Sequence, residues 1–276
     1  MLALVASGCT HHECQLPAIP ASAHGPAFLW RVHKGGDIVW LYGTIHDAGM
    51  DAVPQLARDA LEKSVQLLTE LGDVDPDPDV FRKHARIASG PGIDQLLAPN
   101  DWYDLVDALR GSRTKEDDLR RAKPWYAMSL LTTYLVPSPG PSMDVLFVQR
   151  AHELAMPVHA LESWDDQLGA LDKAVGIPDL QEAIRARETM RCDLSRMRAL
   201  YEAGDTASMQ TLLVIPRTAD TMLTARNKRW LPQIERFFTS GGAFVAVGLG
   251  HLLGDNGLPA MFARAGYTVE RAKLGR

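Results

Sequence analysis

The 276-residue chain has few cysteines, no cluster of basic residues and no long apolar run. Its cysteines are Cys9, Cys14 and Cys192, and two of them lie in the N-terminal leader, so we predict neither a disulfide framework nor a cysteine-based zinc site. A net charge of −5 with scattered lysine and arginine provides no electrostatic footprint for nucleic acid. No apolar stretch reaches the roughly 18 residues that a membrane-spanning helix needs.

Familiar catalytic motifs are also missing. No Gly-x-Gly-x-x-Gly follows a predicted strand, because the nearest match, Gly248-Leu249-Gly250, lacks the third glycine and is followed by histidine. The chain has no Gly-x-Ser-x-Gly elbow and no His-Glu-x-x-His. The sequence therefore lacks the patterns of dinucleotide-binding proteins, of α/β-hydrolases and of the common zinc proteases.

Residues 1–26 differ in composition from the rest of the chain. An apolar start runs into Ala6-Ser7-Gly8-Cys9, which resembles the cleavage box of a bacterial lipoprotein with Cys9 as the lipidated residue. The segment before Cys9 is short and has no basic start. We interpret residues 1–26 as a leader remnant and tether, and expect a periplasmic or other cell-envelope protein whose membrane contact is a possible lipid anchor at Cys9. The alternative is a cytoplasmic protein.

The chain contains one motif twice. An apolar run ends in Gly-Thr-Ile-His at 43–46, and a second apolar run ends in Gly-Leu-Gly-His at 248–251. A constant offset of 205 residues, from 43 to 248, relates both motifs and also maps Pro54 onto Pro259. In each copy a helix-like segment begins at the proline and a β-rich run follows. We interpret the pattern as a duplicated β-turn-α-β unit that brings two histidines to one edge of one sheet.

Strand-to-helix alternation at both ends predicts an α/β fold for residues 27–276, with duplicated β-α-β units forming a mostly parallel sheet flanked by helices. A helical insert at about 80–239 is expected to cap the strand ends. Ligands of such sheets bind at the carboxyl edge of the strands, where we place His46, Glu70, Glu162 and His251. The predicted strands are 28–33, 38–45, 65–71, 157–162, 243–247 and 267–269, and the predicted helices include 54–64, 80–88, 101–110, 123–136, 144–155, 164–175, 178–203, 206–214 and 219–239.

Two imidazoles and nearby carboxylates permit two kinds of chemistry at this edge. They could bind a divalent metal with water in an open position. They could equally activate water without metal, with one histidine as base and a carboxylate that orients it. Glu70 is the strongest acid candidate, because a buried carboxylate is costly unless it is paired or bound to metal. Glu162 follows the same reasoning less strongly, because Ser163-Trp164 could make it the start of a helix.

Three further residues are candidates. Asn227 lies within a predicted helix, where asparagine is unfavourable, so its side chain is expected to have a role. Arg226 could stabilise an anionic intermediate or a carboxylate, or it could belong to a solvated basic face with Lys228 and Arg229. Asp144 could act chemically, or it could only interact with the dipole at the start of its helix.

The order of these motifs resembles that of the TraB/GumN family, which includes the PrgY and Tiki proteins, over about Phe28 to Arg271. The resemblance implies a fold shared with the erythromycin-esterase and ChaN-like group and a site built from His46, Glu70 and His251. Tiki members are described as proteases that depend on Mn or Co. Related sequences often have a small or apolar residue where this chain has Asp47, which could alter metal preference. The matching segments are Leu41–His46, Leu68–Leu71, Lys123–Trp125, Met143-Asp144, Val158–Ser163, Arg226–Trp230, which contains the family's Arg-Asn pair, and Val247–Gly254.

The expected function is therefore that of a divalent-metal-dependent hydrolase, most simply a peptidase. His46, Glu70 and His251 would hold Mn, Co or Zn, and the metal-bound water would attack a peptide carbonyl. Arg226 or Asn227 would stabilise the oxyanion, and Glu162 or Asp144 would serve as base. One alternative is a protein that sequesters a peptide or small molecule in the same cleft without turnover. Another is a metal-free esterase-like hydrolase with His46 as base and Glu70 as its orienting group.

Overall fold

The computed structural model describes Cys14 and residues 27–46, 48–138 and 140–273. Within these residues the strands are β1 Leu29–His33, β2 Ile38–Thr44, β3 Leu67–Thr69, β4 Val158–Ala160, β5 Ala243–Gly248 and β6 Thr268–Arg271. They form one sheet in the order β4-β3-β5-β2-β1-β6. The pairs β2·β5, β5·β3 and β3·β4 are parallel, whereas β1 is antiparallel to β2 and to β6. The predicted α/β fold with a mostly parallel sheet is confirmed.

Helices flank this sheet and make up most of the segment between β3 and β5. None of the described helices is long and apolar enough to cross a bilayer. A π-helical turn at Asp220–Thr224 and 3-10 turns at Met50–Ala52, Arg236–Thr239 and Leu249–Leu252 supplement the α-helices. The α-helices are α1 Gln55–Glu62, α2 Pro78–Ala85, α3 Ile93–Leu96, α4 Pro99–Ala108, α5 Glu116–Arg120, α6 Pro124–Leu135, α7 Met143–Glu153, α8 Trp164–Ala174, α9 Ile177–Arg185, α10 Met190–Glu202, α11 Thr206–Leu213, α12 Pro216–Ala219, α13 Ala225–Glu235 and α14 Leu258–Arg264.

The two repeated units appear as β2-α1-β3 and β5-α14-β6. Their first strands are neighbours in the sheet, with Gly43 opposite Val247 and Thr44 opposite Gly248. Pro54 is the N-terminal cap of α1, and Pro259 lies in the first turn of α14, where a missing N–H costs no hydrogen bond. The predicted duplication therefore places both histidine motifs side by side at one edge of the sheet.

Several element boundaries differ from the sequence-based expectation. The strand predicted at 157–162 extends only over Val158–Ala160, and the helix predicted at 219–239 begins as a π-helical turn and ends as a 3-10 turn. The strand predicted at 65–71 extends only over Leu67–Thr69. The single helix predicted at 178–203 is wrong, because a turn at residues 186–189 separates α9 from α10. Within this turn Arg187 donates to the carbonyl of Ile184 and forms an ion pair with Asp104 of α4. A tertiary contact thus accompanies a break that no glycine or proline marks.

The apolar core has a main part and two smaller parts within the insert. The main cluster contains the strands together with buried residues of α1, α7, α13 and α14, among them Phe147 and Trp230. A second cluster consists of insert residues alone, including Leu105 of α4, Leu131 of α6 and Ile184 of α9. Because the insert buries apolar side chains of its own, it can form a wall beside the strand ends.

The expectation of no disulfide framework did not anticipate the one disulfide that the described residues contain. Cys14 is bonded to Cys192 on α10, with 5.2 Å between the Cα atoms. The two residues are 178 positions apart in the chain, and no local pattern indicates that the leader reaches this helix. Cys9 and its lipoprotein-like box lie outside the described residues, so the possible lipid anchor stays a prediction.

Candidate active site

The four residues predicted at the strand ends all lie at the carboxyl edge of the sheet. His46 follows β2, Glu70 follows β3, Glu162 follows β4 and His251 follows β5. The backbone N–H of Glu162 donates to the carbonyl of Glu70 over 3.0 Å, so the pairing of β3 with β4 continues to the acidic residues. Because these strands are adjacent and parallel, their ends bring together side chains that are far apart in sequence.

The motif glycines allow two close approaches at this edge. A Cβ atom on Gly43 would come within 2.5 Å of the side chain of Leu249, which belongs to the second motif. A Cβ atom on Gly248 would lie 3.2 Å from Oε1 of Glu70. The N–H of Gly248 instead donates to that oxygen over 2.8 Å. The second glycine thus permits the strand end to bind a carboxylate directly.

Arg226 is the centre of the buried part of the site, and its side chain is only 3% exposed. Its Nη2 atom donates to Glu70 and to Glu162 over 2.6 and 2.5 Å, and its Nε atom donates to Glu162 over 3.1 Å. Its Nη1 atom lies 2.9 Å from the carbonyl oxygen of Met222 and 3.0 Å from Nε2 of His251. All five N–H bonds of the guanidinium therefore have acceptors in this arrangement.

His251 is held by two neighbours in one tautomer. Because arginine can only donate, Nε2 of His251 accepts from Arg226, and its Nδ1 then carries the hydrogen that is donated to Oδ1 of Asn227 over 2.7 Å. The Nδ2 atom of Asn227 donates to the carbonyl oxygens of His251 and Asn256. The ring of Trp230 lies 4.3 Å from the imidazole, between ring centres. The predicted Arg226–Asn227 pair thus fixes both ends of the His251 ring.

Burial and charge set the protonation of these groups. Burial raises the pKa of Glu70, but the adjacent His251 and Arg226 and the amide of Gly248 outweigh it and lower the pKa to about 2. Burial lowers the pKa of His251 to about 3, with Glu70 acting in the opposite direction. Burial also raises the pKa of Glu162, against the hydrogen bonds from Arg226. At neutral pH the site therefore contains an ionised Glu70 beside a neutral His251.

His46 lies on the solvent side of this network. Its side chain is 87% exposed, and its Nδ1 atom is 3.4 Å from Oδ2 of Asp144 at the start of α7. The other oxygen of Asp144 accepts a hydrogen bond from the hydroxyl of Thr44 over 2.8 Å. Oδ2 is buried and has no hydrogen-bond partner within the described residues. Burial raises the pKa of Asp144, and Glu70 acts in the same direction against His46.

A cleft of about 440 Å³ opens beside this pair. His46, Glu70 and Asp144 line it together, whereas Arg226, Glu162 and His251 are not among its lining residues. His251 lies next to Glu70, with 3.8 Å between Nε2 and Oε1. The predicted site residues thus fall into two sets. His46, Glu70 and Asp144 face the cleft. Arg226, Asn227, Glu162 and His251 form a buried set, which contacts the first set through Glu70. Other lining residues come from the loop after β3 and from α7 and α8, including Asp73, Val74, Asp75, Val145, Val148, His152 and Trp164.

The donor atoms of the described residues do not fit the predicted metal site. The residues that the structure describes contain no group of three or more His, Cys, Asp or Glu side chains arranged to hold an ion. Nη1 of Arg226 donates a hydrogen bond to the lone pair on Nε2 of His251, and both oxygens of Glu70 accept hydrogen bonds. A cation at His46, Glu70 and His251 would first require the Arg226 side chain to move. Asp47, the residue predicted to influence metal preference, lies outside the described residues.

Sequence reasoning missed two residues that position the site. Thr44 belongs to the first motif, and its place within the apolar run predicted as a strand was the available signal, because a buried hydroxyl needs a partner. The structure leaves Thr44 only 2% exposed. Tyr201 of α10 places its hydroxyl 2.7 Å from the carbonyl oxygen of Gly43 and 2.8 Å from the hydroxyl of Tyr42. No local signal connects Tyr201 with the motif, from which it is about 158 positions distant.

Comparison with known proteins gives two findings. A model of the TraB/PrgY/gumN family matches residues 28–271. The protein named Metalloprotease TIKI1 of Homo sapiens is 23% identical over 332 aligned residues, which cover 96% of this chain and 65% of that protein. The chain therefore spans slightly less than two thirds of the length of this curated relative. No solved structure matches the chain at a significant level.

Proposed function

Because the chain belongs to the TraB/PrgY/gumN family, we propose that it is a hydrolase that cleaves peptide bonds in the cleft beside His46. The observation that carries the proposal is the pairing of an exposed imidazole with a partly buried carboxylate, with 3.4 Å between Nδ1 of His46 and Oδ2 of Asp144. The family and the resemblance to a human metalloprotease support hydrolysis of peptides as the reaction class.

His46 is the base in this proposal, and Asp144 is the residue that orients it. With Nδ1–H directed at Asp144, Nε2 is free to remove a proton from water, which attacks the carbonyl carbon of the substrate. Asp144 then stabilises the imidazolium until His46 returns the proton to the leaving amine. The separation of 3.4 Å is longer than a hydrogen bond, and contacts of this kind often shorten only when substrate binds.

The buried set holds Glu70, the ionised residue that lines the cleft, in a fixed position. Arg226 compensates Glu70 and Glu162, and Asn227 holds His251 against Trp230. Since the guanidinium has no N–H left for a substrate oxygen, we assign Arg226 and Asn227 a positioning role and not the oxyanion role expected from sequence. Glu70 presents its ionised carboxylate to the cleft.

The metal-dependent form of the reaction remains the competing mechanism for the same cleft. It is favoured by the resemblance to TIKI1, whose name describes a metalloprotease. It is disfavoured by the position of Arg226 on His251, because a metal ligand needs an available lone pair. We therefore assign water activation to His46 and Asp144 without a metal, and a chelator separates the two mechanisms.

The test uses purified protein, a mixture of peptides of varied sequence and mass spectrometry of the products. Cleavage by the wild-type protein should fall at least about 100-fold in His46→Ala, as expected for loss of a general base. His33→Ala, at the far end of β1, is the matched control and should retain activity. Cleavage that persists in EDTA supports the assignment of His46 and Asp144.

Two results would contradict parts of the proposal. Activity that disappears in EDTA and returns with Mn, Co or Zn leaves the hydrolase standing but overturns the metal-free mechanism. Saturable binding of peptides that stay intact overturns hydrolysis itself and favours a sequestering protein.

The same protein is proposed to act in the cell envelope. Disulfides form and persist in oxidising compartments such as the bacterial periplasm, and Cys14 and Cys192 form one here. Trapping of free thiols in intact cells, followed by mass measurement, checks this point. A fully reduced Cys14–Cys192 pair in cells would argue for the cytoplasm instead.

A further inference from the structure

Helix α10 contacts the two segments that carry the proposed base and its partner. The hydroxyl of Tyr201, in the last turn of α10, donates to the carbonyl of Gly43, which precedes His46 in the first motif, over 2.7 Å. The same hydroxyl oxygen lies 3.7 Å from Sδ of Met143, the residue before Asp144. One hydroxyl group therefore contacts both the strand end that presents His46 and the start of the helix that presents Asp144.

A second contact joins α10 to the chain that follows His46. Arg198 of α10 forms an ion pair with Asp51, in the 3-10 turn after the first motif, over 3.2 Å. The ring of Tyr201 is stacked on that of Phe28, with 5.3 Å between ring centres. The C-terminal half of α10 thus lies against the chain on both sides of His46.

The packing of α10 is light for a helix in this position. Of its 13 residues, all of which the structure describes, Tyr201 alone is buried. Met197 and Leu200 are partly buried against the main core. A helix that buries so little apolar surface gains little stability from packing, so it can detach by local opening. The position of the Tyr201 hydroxyl therefore depends on the other attachments of α10.

The disulfide between Cys14 and Cys192 is such an attachment, at the opposite end of α10. Cys192 lies in the first turn of the helix, about 14 Å along its axis from Tyr201. Arg191 supplies another contact at this end, a hydrogen bond to the carbonyl of Leu135 over 3.0 Å. Both cysteines are partly exposed, so a dithiol can reach the bond.

We propose that the Cys14–Cys192 disulfide controls the proposed reaction by keeping α10 docked. With the bond closed, the hydroxyl of Tyr201 stays in contact with the segments on which His46 and Asp144 lie, and the pair keeps its relative position. With the bond open, α10 detaches more often and the pair loses that alignment, on which the rate depends steeply. The effect on cleavage rests on the proposed function, whereas the structural coupling rests on the contacts of α10.

The control itself is a thiol–disulfide exchange. A dithiol attacks one sulfur of the bond, displaces the other as a thiolate and is itself oxidised to a disulfide, so that two electrons and two protons convert Cys14 and Cys192 into thiols. Oxidation by a protein disulfide reverses the exchange. Because cysteines stay reduced in the cytoplasm and are oxidised in exported proteins, the hydrolase would become fully active after export.

The first experiment compares cleavage by the oxidised protein with cleavage after reduction by dithiothreitol. The substrate is the peptide that the oxidised wild-type protein cleaves fastest in a mixture of varied sequence. We expect kcat to fall at least about tenfold on reduction, because a small displacement of reacting groups is costly, while KM changes less than about threefold. Cys192→Ser should have the low kcat in both conditions. Equal kcat for the oxidised and reduced wild-type protein overturns the proposal.

A double-mutant cycle tests whether the effect passes through Tyr201. Tyr201→Phe keeps the ring, removes the hydroxyl and should lower kcat on its own. If the bond acts through this hydroxyl, adding Cys192→Ser to Tyr201→Phe lowers kcat little further, because residues in one network do not contribute independently. Fold-losses that multiply in full overturn this route. Ser195→Ala, on the same helix, is the matched control and should respond to reduction as the wild-type protein does.

Hydrogen exchange measured by mass spectrometry reports the structural coupling without any turnover. Reduction should speed exchange in α10 and in residues 43–46, and it should leave α13, which carries the buried Arg226 and Trp230, unchanged. Faster exchange that is confined to α10, or no change in either segment, overturns the coupling.

The outcome is separable from that of the proposed hydrolysis. The expected exchange pattern with no cleavage of any peptide would sink the hydrolase and leave the coupling between α10 and the first motif. Cleavage at equal rates in both redox states would sink the control by the disulfide and leave the hydrolase.

Discussion

Nη1 of Arg226 donates a hydrogen bond to Nε2 of His251 over 3.0 Å. That lone pair is the one that a metal ion or a transferred proton would otherwise use. The same guanidinium is the counterion of Glu70 and Glu162. Arg226 thus supplies, from the chain itself, the positive charge that the sequence motifs led us to expect from a bound metal.

Removal of Arg226 should destabilise the protein strongly. Arg226→Met leaves Glu70 and the 2%-exposed Glu162 without their buried counterion, and we expect a loss of about 3–5 kcal/mol in the free energy of unfolding. Arg229→Met is the matched control, because Arg229 is half exposed and 3.5 Å from Glu162, and it should cost less than about 1 kcal/mol.

Urea denaturation monitored by circular dichroism measures both variants. In Arg226→Met/Glu162→Gln one of the two unpaired carboxylates is gone, so part of the lost stability should return. Equal stability of Arg226→Met and Arg229→Met would mean that the buried network does not exist as described.

Stability should fall in acid because of His251. The unfolded imidazole takes up a proton near pH 6.5, whereas burial holds the pKa of the folded one at about 3. The stability that His251 contributes is present above pH 6.5 and is lost as the pH falls toward 3, by about 1.4 kcal/mol for each pH unit. Glu70, whose folded pKa is about 2 against an ordinary value of 4.5, should add a second loss below pH 4.5.

Denaturation curves measured between about pH 8 and pH 4 cover the range over which the unfolded histidine titrates. They report the slope of the free energy of unfolding against pH. In His251→Gln the part of the slope above pH 4.5 that comes from this residue should vanish, whereas the control His33→Gln, at a partly buried position at the end of β1, should keep it. An unchanged slope in His251→Gln would show that the imidazole is not buried in its neutral form.

The hydroxyl of Tyr201 should matter for the first motif. Since the carbonyl of Gly43 can only accept, Tyr201 donates to it, and the hydroxyl of Tyr42 donates to Tyr201 in turn. Tyr201→Phe leaves both groups buried without this partner and should cost about 1–3 kcal/mol. Tyr103→Phe, at a 64%-exposed position, is the control and should leave the thermal midpoint unchanged. Equal midpoints for the two variants would contradict the buried contact.

Loss of the disulfide should lower thermal stability. Cys14–Cys192 closes a segment of 178 positions, for which the chain-entropy treatment sets a limit of up to about 5 kcal/mol. Cys192→Ser should therefore melt at a lower temperature than the oxidised wild-type protein and should no longer respond to reductant. Ser195→Ala, on the same helix, should still respond. A wild-type protein that is indifferent to reductant would argue against the bond.

Much of the site was predictable because its signals are local. Each histidine ends a short motif that follows an apolar run, and the proline at a fixed distance identifies both copies as one structural unit. Parallel pairing of β2 with β5 then requires both motifs to lie at one edge. Glu70 and Glu162 could be assigned to the same edge because each follows an apolar strand.

The partners of these residues could not be predicted, because they lie on other elements. Arg226 contacts Glu70 and Glu162 across 156 and 64 positions of chain, and whether it stabilises an intermediate or a buried acid depends on which of its N–H groups are already used. The break between α9 and α10 is likewise marked by no glycine or proline. In each case a tertiary contact overrides a weak local preference.

The amino-acid sequence by itself determined the doubled strand-and-helix unit, the family and the edge of the sheet at which the chemistry lies, since periodicity and motif spacing are properties of neighbouring residues. Only the tertiary structure decided that Arg226 fills the space between the two acids and His251, that His46 turns outward to Asp144, and that Cys14 reaches Cys192. Those outcomes depend on which partners the buried charges and the distant segments contact when the chain folds. No short stretch of sequence contains that information.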